Sequence, residues 1–201
     1  MKNKKFLFWT SVVILLPSLV GLLMWNQLPE KMPTHWGMDG QIDGWSGKGF
    51  AIFGVPLILL AVHWICIWAT RLDKQNQSGS NAKVLGIVMC IFPVMSILTS
   101  FGMYRAAMGL EFGVDVFIPG LIGLMFLVIG NYLPKCRQNS TLGIKLPWTF
   151  ASEENWNKTH RLGGKVWTVC GLGMIVNVFV GQVWLMLACI FSAILVPTVY
   201  S

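Results

Sequence analysis

His35, Asp39 and Asp43 recur at spacings of four, and one imidazole with two carboxylates on a single helical face would make a divalent-metal site. Gly37, Gly40 and Gly44 are interleaved with them and argue against that helix, so no metal or cofactor is expected. The alternative is a compact hydrogen-bonded loop whose Trp36 and Trp45 rest on a membrane interface. No HExxH motif, Ser/His arrangement or pair of acids falls within the apolar runs, and enzymatic activity is not expected. Cys66, Cys90, Cys136, Cys170 and Cys189 stand singly, without a CxxC pair, and read as buried small hydrophobes. His63 and Asn177 are polar residues inside apolar runs. Such groups mark function by default, yet a lone one commonly just bonds a neighbouring helix, which is the expectation here.

The elements that must carry these residues follow from charge. Of 201 residues 55% are apolar and 11% charged, too little polar skin for a water-soluble domain of this size. Charge-free runs of 24, 22, 21 and 19 residues follow Lys5, Lys48, Lys83 and Asp115, each enough for one crossing of a hydrocarbon core about 30 Å thick. The last run, 36 residues after Lys165, would extend roughly 54 Å as one helix. Asn177, Gly181 and Gln182 interrupt it, which predicts two helices, about 162–180 and 183–200, joined by a very tight turn. Lys165 is near enough to the boundary to snorkel. The first run is an anchor, since it is longer than a signal-peptide core and its exit lacks a small-x-small cleavage site.

Six membrane helices in an all-α integral membrane protein result, with no water-soluble domain. Twelve basic residues fall on one side and three (Lys31, Lys48, Arg105) on the other, placing both termini in the cytoplasm. The net charge of +7 is then a topology signal, and no direct nucleic-acid partner is implied. Tryptophans near the helix ends (Trp9, Trp25, Trp64, Trp68, Trp167 and Trp184) form the interfacial belt. The chain divides into a two-helix module, 1–70, with external loop 26–49, and a four-helix module, 71–201, with cytoplasmic loop 134–161. In that second loop Ser152 can cap a short amphipathic helix before the fifth span. Glu153 and Glu154 suit its first turn, Glu154 and Lys158 form an i,i+4 pair, and Trp156 shares a face with His160. Ser96 and Ser100, or Gly120 and Gly123, would permit close helix packing.

The stretch GNYLPKCRQNSTLGIKLPWTFASEENWNKTHRLGGKVW, residues 130–167, resembles the signature of the SdpI family of bacterial immunity proteins. Residues 28–48, LPEKMPTHWGMDGQIDGWSGK, are similar to a small domain of unknown function often fused ahead of it. The family pattern GIRTPWTL appears here as Gly143-Ile144-Lys145-Leu146-Pro147-Trp148-Thr149-Phe150. Lys145 keeps the charge of arginine without its bidentate fork, and Leu146 replaces a hydroxyl that could have satisfied the turn before Pro147. The resemblance implies a multi-pass protein of the bacterial plasma membrane that protects a cell from a secreted antimicrobial peptide toxin. It also implies a second role, signal transduction by holding a winged-helix repressor at the cytoplasmic face. His35, Trp36, Asp39 and Asp43 would face the toxin. Asn139, Gly143, Lys145, Pro147, Trp148, Thr149, Trp156, His160 and Arg161 would form the cytoplasmic partner site; attachment to anionic lipid is the competing use of such a basic and aromatic surface. A small membrane transporter is the alternative class, but it calls for inverted repeats and charged groups at the midplane, and the chain has no convincing repeat and no midplane acid.

Overall fold

The computed structural model describes residues 4–37, 39–72, 79–110 and 113–201; Lys2 and Lys74, counted above among the cytoplasmic cations, lie outside them. Among the described residues six helices are long and apolar enough to cross a membrane: Lys4–Leu23, Phe50–Thr70, Asn81–Ala107, Val114–Lys135, Glu153–Val180 and Val183–Tyr200. The corresponding elements are α1 (Lys4–Leu23), α2 (Val55–Leu72, entered through a π-helical turn at Phe50–Gly54), α3 (Gly79–Ala107) and α4 (Val114–Tyr132). A five-residue helix, α5 (Pro147–Ala151), precedes α6 (Glu153–Val180) and α7 (Val183–Tyr200). The chain forms two compact units. One comprises Met1–Trp68 with Val88–Val114, the other Ala69–Ile87 with Asp115–Ser201, so that the division runs through α3.

In the first unit, side-chain hydroxyls tie the spans together. Pro56 has no N–H to offer the carbonyl four residues before it, that of Ile52. Ser18 of α1 donates to that carbonyl at 2.8 Å. Ser96 of α3 donates to the Ile14 carbonyl at 2.6 Å, and Tyr104 to that of Pro17 at 2.8 Å. His63 is fully buried, with Nε2 3.0 Å from the Thr10 hydroxyl and its ring edge-on to Phe92, the structural use expected of it. Gly21 is required by this packing, since a Cβ there would lie 2.5 Å from the Tyr104 hydroxyl oxygen.

The all-α expectation is corrected at the 26–49 loop. Lys31–Trp36 (β1) and Ile42–Gly47 (β2) pair antiparallel, with Met32 opposite Ser46, Pro33 opposite Trp45 and His35 opposite Gly44. Proline is tolerated because, among the described residues, both strands are edge strands, with no further strand to require the N–H that proline lacks. Pro33, Gly44 and Gly47 lie within the strands, and Gly40 lies in the turn between them. Met32 seats the hairpin: it is buried in a cluster with Leu28, Ala51, Ile52, Met103 and Tyr104, and Trp36 packs at its margin.

In the second unit, α4 and α6 approach through two pairs of glycines spaced by seven. A Cβ on Gly123 would lie 2.9 Å from the Gly171 carbonyl oxygen, and one on Gly130 2.9 Å from that of Gly164. Any side chain at these four positions would force the backbones apart. The tight turn between the last two helices falls at Gly181 and Gln182, as the sequence predicts. Gly181 adopts φ +67°, and Asn177 closes the turn by accepting the Gln182 N–H on its side chain at 3.0 Å and the Gly181 N–H on its carbonyl at 2.8 Å. Ser152 caps as expected, accepting the Asn155 N–H at 3.2 Å, and Lys158 lies 2.6 Å from Glu154. The helix so started does not stop short of the membrane: it continues without a break to Val180, and the separate short helix before it is α5.

Candidate functional site

The hairpin and the 136–161 loop belong to different units. Across the hairpin His35 Nδ1 and Asp43 Oδ1 are 2.5 Å apart, both substantially exposed. Gly44 makes that approach possible, because a Cβ there would sit 2.7 Å from His35 Cβ. Asp39 turns away to accept the Gln41 N–H at 3.1 Å within a tip where Gly40 has φ +76°. His35, Asp39 and Asp43 therefore form one cross-strand pair and one turn cap, and among the described residues no three ligands converge on a metal position. Sequence reasoning missed Lys48. It is buried and bonds Glu30 Oε1 at 2.9 Å, donates to the Trp25 carbonyl at 3.1 Å and lies 4.9 Å from the centre of the Trp25 ring. The lysine of the Gly-Lys that ends the 28–48 motif is thus the clasp at the hairpin's base.

The stretch 136–146, ahead of α5, is held by polar side chains rather than by regular structure. Asn139 is buried; its Oδ1 accepts the N–H groups of Thr141 (2.9 Å) and Leu142 (2.6 Å), and its amide donates to the Arg137 and Leu142 carbonyls at 2.8 and 3.0 Å. Asn81, at the start of α3, adds a two-way clamp, accepting the Arg137 N–H at 2.8 Å and donating to the Arg137 carbonyl at 3.2 Å. Trp156 is fully buried, donates to the Cys136 carbonyl at 2.9 Å and stacks on His160 with ring centres 4.0 Å apart. Burial pushes the Cys136 thiol up from its ordinary range, and the bond from Asn139 offsets this in part.

His160 Nε2 accepts the Ile144 N–H at 3.0 Å while Nδ1 lies 2.8 Å from the Trp156 carbonyl. Only the neutral imidazole protonated at Nδ1 meets both contacts. Gly143 has φ +109°, and a Cβ there would overlap His160 Nε2. Thr149 is buried and accepts the Leu146 N–H at 2.9 Å, which supplies at position 149 the hydroxyl that Leu146 lacks.

The motif therefore separates by exposure. Asn139, Thr149, Trp156 and His160 are buried and build the loop from within, and Gly143, though exposed, gives the backbone its approach to His160. Lys145, Pro147, Trp148 and Arg161 remain at the surface, with Trp148 48% exposed and its indole N–H 2.6 Å from the Ser201 hydroxyl. Such a surface offers cations and an aromatic face on a rigid frame. It has the chemistry to capture an acidic or aromatic partner.

The family model described as the SdpI/YfhL protein family matches residues 135–201. The match takes in the Asn139–His160 knot and runs through both terminal helices. A second model, the domain of unknown function DUF1648, matches residues 12–60, which include the hairpin and its Lys48 clasp. Both parts of the resemblance read from the sequence are thereby shown. The chain is also similar to the Immunity protein SdpI of Bacillus subtilis (strain 168), 24% identical over 197 residues, covering 94% of this chain and 91% of that protein. No solved structure matches. With six apolar spans and these relatives, the chain is a multi-pass membrane protein.

Proposed function

We propose that this protein confers immunity to a secreted antimicrobial peptide toxin from within the bacterial plasma membrane. Its termini lie in the cytoplasm and the hairpin outside. The observation that carries the reading is the nearly full-length similarity to a protein named for immunity, which spans both the hairpin-bearing and the loop-bearing segments. Supporting it, the hairpin presents His35, Asp43 and the exposed Trp45 on a frame fixed by Met32 and Lys48, a surface suited to an amphipathic peptide. In the same reading the exposed Lys145, Trp148 and Arg161 recruit a winged-helix repressor while toxin is bound. A ligand shifts an equilibrium only as far as it binds the two states differently, so recruitment requires two arrangements of the 136–161 loop.

Survival of toxin-challenged cells tests the first role, and co-purification of the repressor the second. His35→Ala and Trp36→Ala should lower survival first; Trp148→Ala and Lys145→Ala should abolish recruitment while survival holds. Loss of both activities in parallel by every variant, at normal protein level, would refute this division of labour. Equal effects of charge reversal at Arg137, Lys145, Lys158 and Arg161, with no protein co-purifying, would assign the loop to anionic lipid instead.

A further inference from the structure

We propose that a groove between α6 and α7 binds an anionic phospholipid, its headgroup on Lys165 and one acyl chain along the helices. The groove holds about 500 Å³, within the range of about 300–1,000 Å³ typical of small-ligand sites. Lys165, Val169 and Gly173 line it from α6, and Leu185, Ala188 and Ser192 from α7. From Lys165 to Gly173 the groove runs eight residues, roughly 12 Å of helix, enough for a segment of acyl chain. Its two ends differ in chemistry. Lys165 and Ser192 are polar, and α6 and α7 are tied beside them by the bond from the Trp167 indole to the Ala193 carbonyl at 2.8 Å. The rest is apolar, and its wall opens outward: Val169 is 68% exposed and Ala188 is exposed too.

Charge selects the occupant. Among the described residues no carboxylate pairs with Lys165, and none of the 36 residues after it is charged. Arg161 lies one helical turn before Lys165 on the same face, likewise exposed and without a carboxylate among the described residues. An open apolar channel ending at an unpaired ammonium matches a molecule with an acyl chain and an anionic head. The bilayer supplies such a molecule in the leaflet that holds the N-terminal end of α6. This inference uses the membrane setting alone and is independent of the immunity reading.

The test is native mass spectrometry of the full chain purified into mixed vesicles of equimolar phosphatidylglycerol and phosphatidylcholine, then stripped stepwise with detergent. Wild type should retain phosphatidylglycerol about fivefold over phosphatidylcholine, the effect of one basic residue at the membrane surface. Lys165→Gln should bring that ratio to about one, and Lys165→Arg should keep it. Ala188→Phe, which fills the channel, should remove retention of either lipid, and Leu185→Trp repeats the block should Ala188→Phe lower the melting midpoint. Equal retention of both lipids by wild type, or a preference surviving Lys165→Gln, would overturn the proposal. A two-chain mass that Ala188→Phe converts to one chain would also overturn it, by making a second copy the occupant.

Discussion

Asn139 and Lys145 stand in one motif and answer opposite demands. The first is buried with its acceptor oxygen and amide engaged; the second reaches the surface and donates only to the Ser140 carbonyl at 3.3 Å. Asn139→Ala would strand the N–H groups of Thr141 and Leu142, at a cost of about 1–3 kcal/mol for a buried unsatisfied group. The thermal midpoint of the purified protein should fall accordingly, whereas Lys145→Gln and Trp148→Ala should shift stability by no more than about 0.5 kcal/mol. The reverse ranking would mean that the buried half of the motif does not shape the loop. The resemblance singled out both kinds of residue without distinguishing them, because a signature records identity and not depth. Asn81 escaped notice for a different reason. Its partner is 56 residues away, and a lone asparagine before an apolar run carries no local signal.

At the scale of elements the spans were legible, since removing charge from about 20 residues is what a bilayer requires of a helix. The turn at Gly181 was legible too, because glycine accepts a positive φ and the neighbouring asparagine and glutamine cannot sit bare in hydrocarbon. The hairpin was not legible. Two short strands seated by Met32 and clasped by Lys48 show no alternating apolar pattern, and the proline and glycines mask what remains. Helix-to-helix ties are equally hidden in a linear reading, but they can be tested as pairs. Ser18→Ala should destabilise by about 1 kcal/mol, removing the hydroxyl donor from the Ile52 carbonyl. In a Pro56→Ala background the new N–H can take that carbonyl, and the same serine change should cost close to nothing. A double-mutant cycle on thermal midpoints measures the difference, and additivity would show that the hydroxyl does not answer the proline. Gly171→Leu, meeting the Gly123 carbonyl at the α4–α6 contact, should lower the midpoint far more than Gly181→Ala, where the added Cβ meets only backbone strain.

For the whole molecule, the distribution of basic residues makes a prediction independent of any partner. In a cysteine-free background, a membrane-impermeant thiol reagent applied to intact cells should label a cysteine at Gln41 and spare one at Gln138; labelling of Gln138 alone would invert the assigned orientation. The two compact units add a constraint in time rather than in space. The ribosome supplies every residue of the first unit once it has passed Val114. The second unit begins with Ala69–Ile87, and the clamp on that segment needs Arg137, synthesised 56 residues after Asn81. At about 5–20 residues per second that interval is roughly 3 to 11 s. During it the start of α3 awaits its Arg137 clamp, while Ser96, further along the same helix, can already find the Ile14 carbonyl. One helix is thus assembled from its far end first, and its near end is the segment that nascent-chain factors have longest to engage.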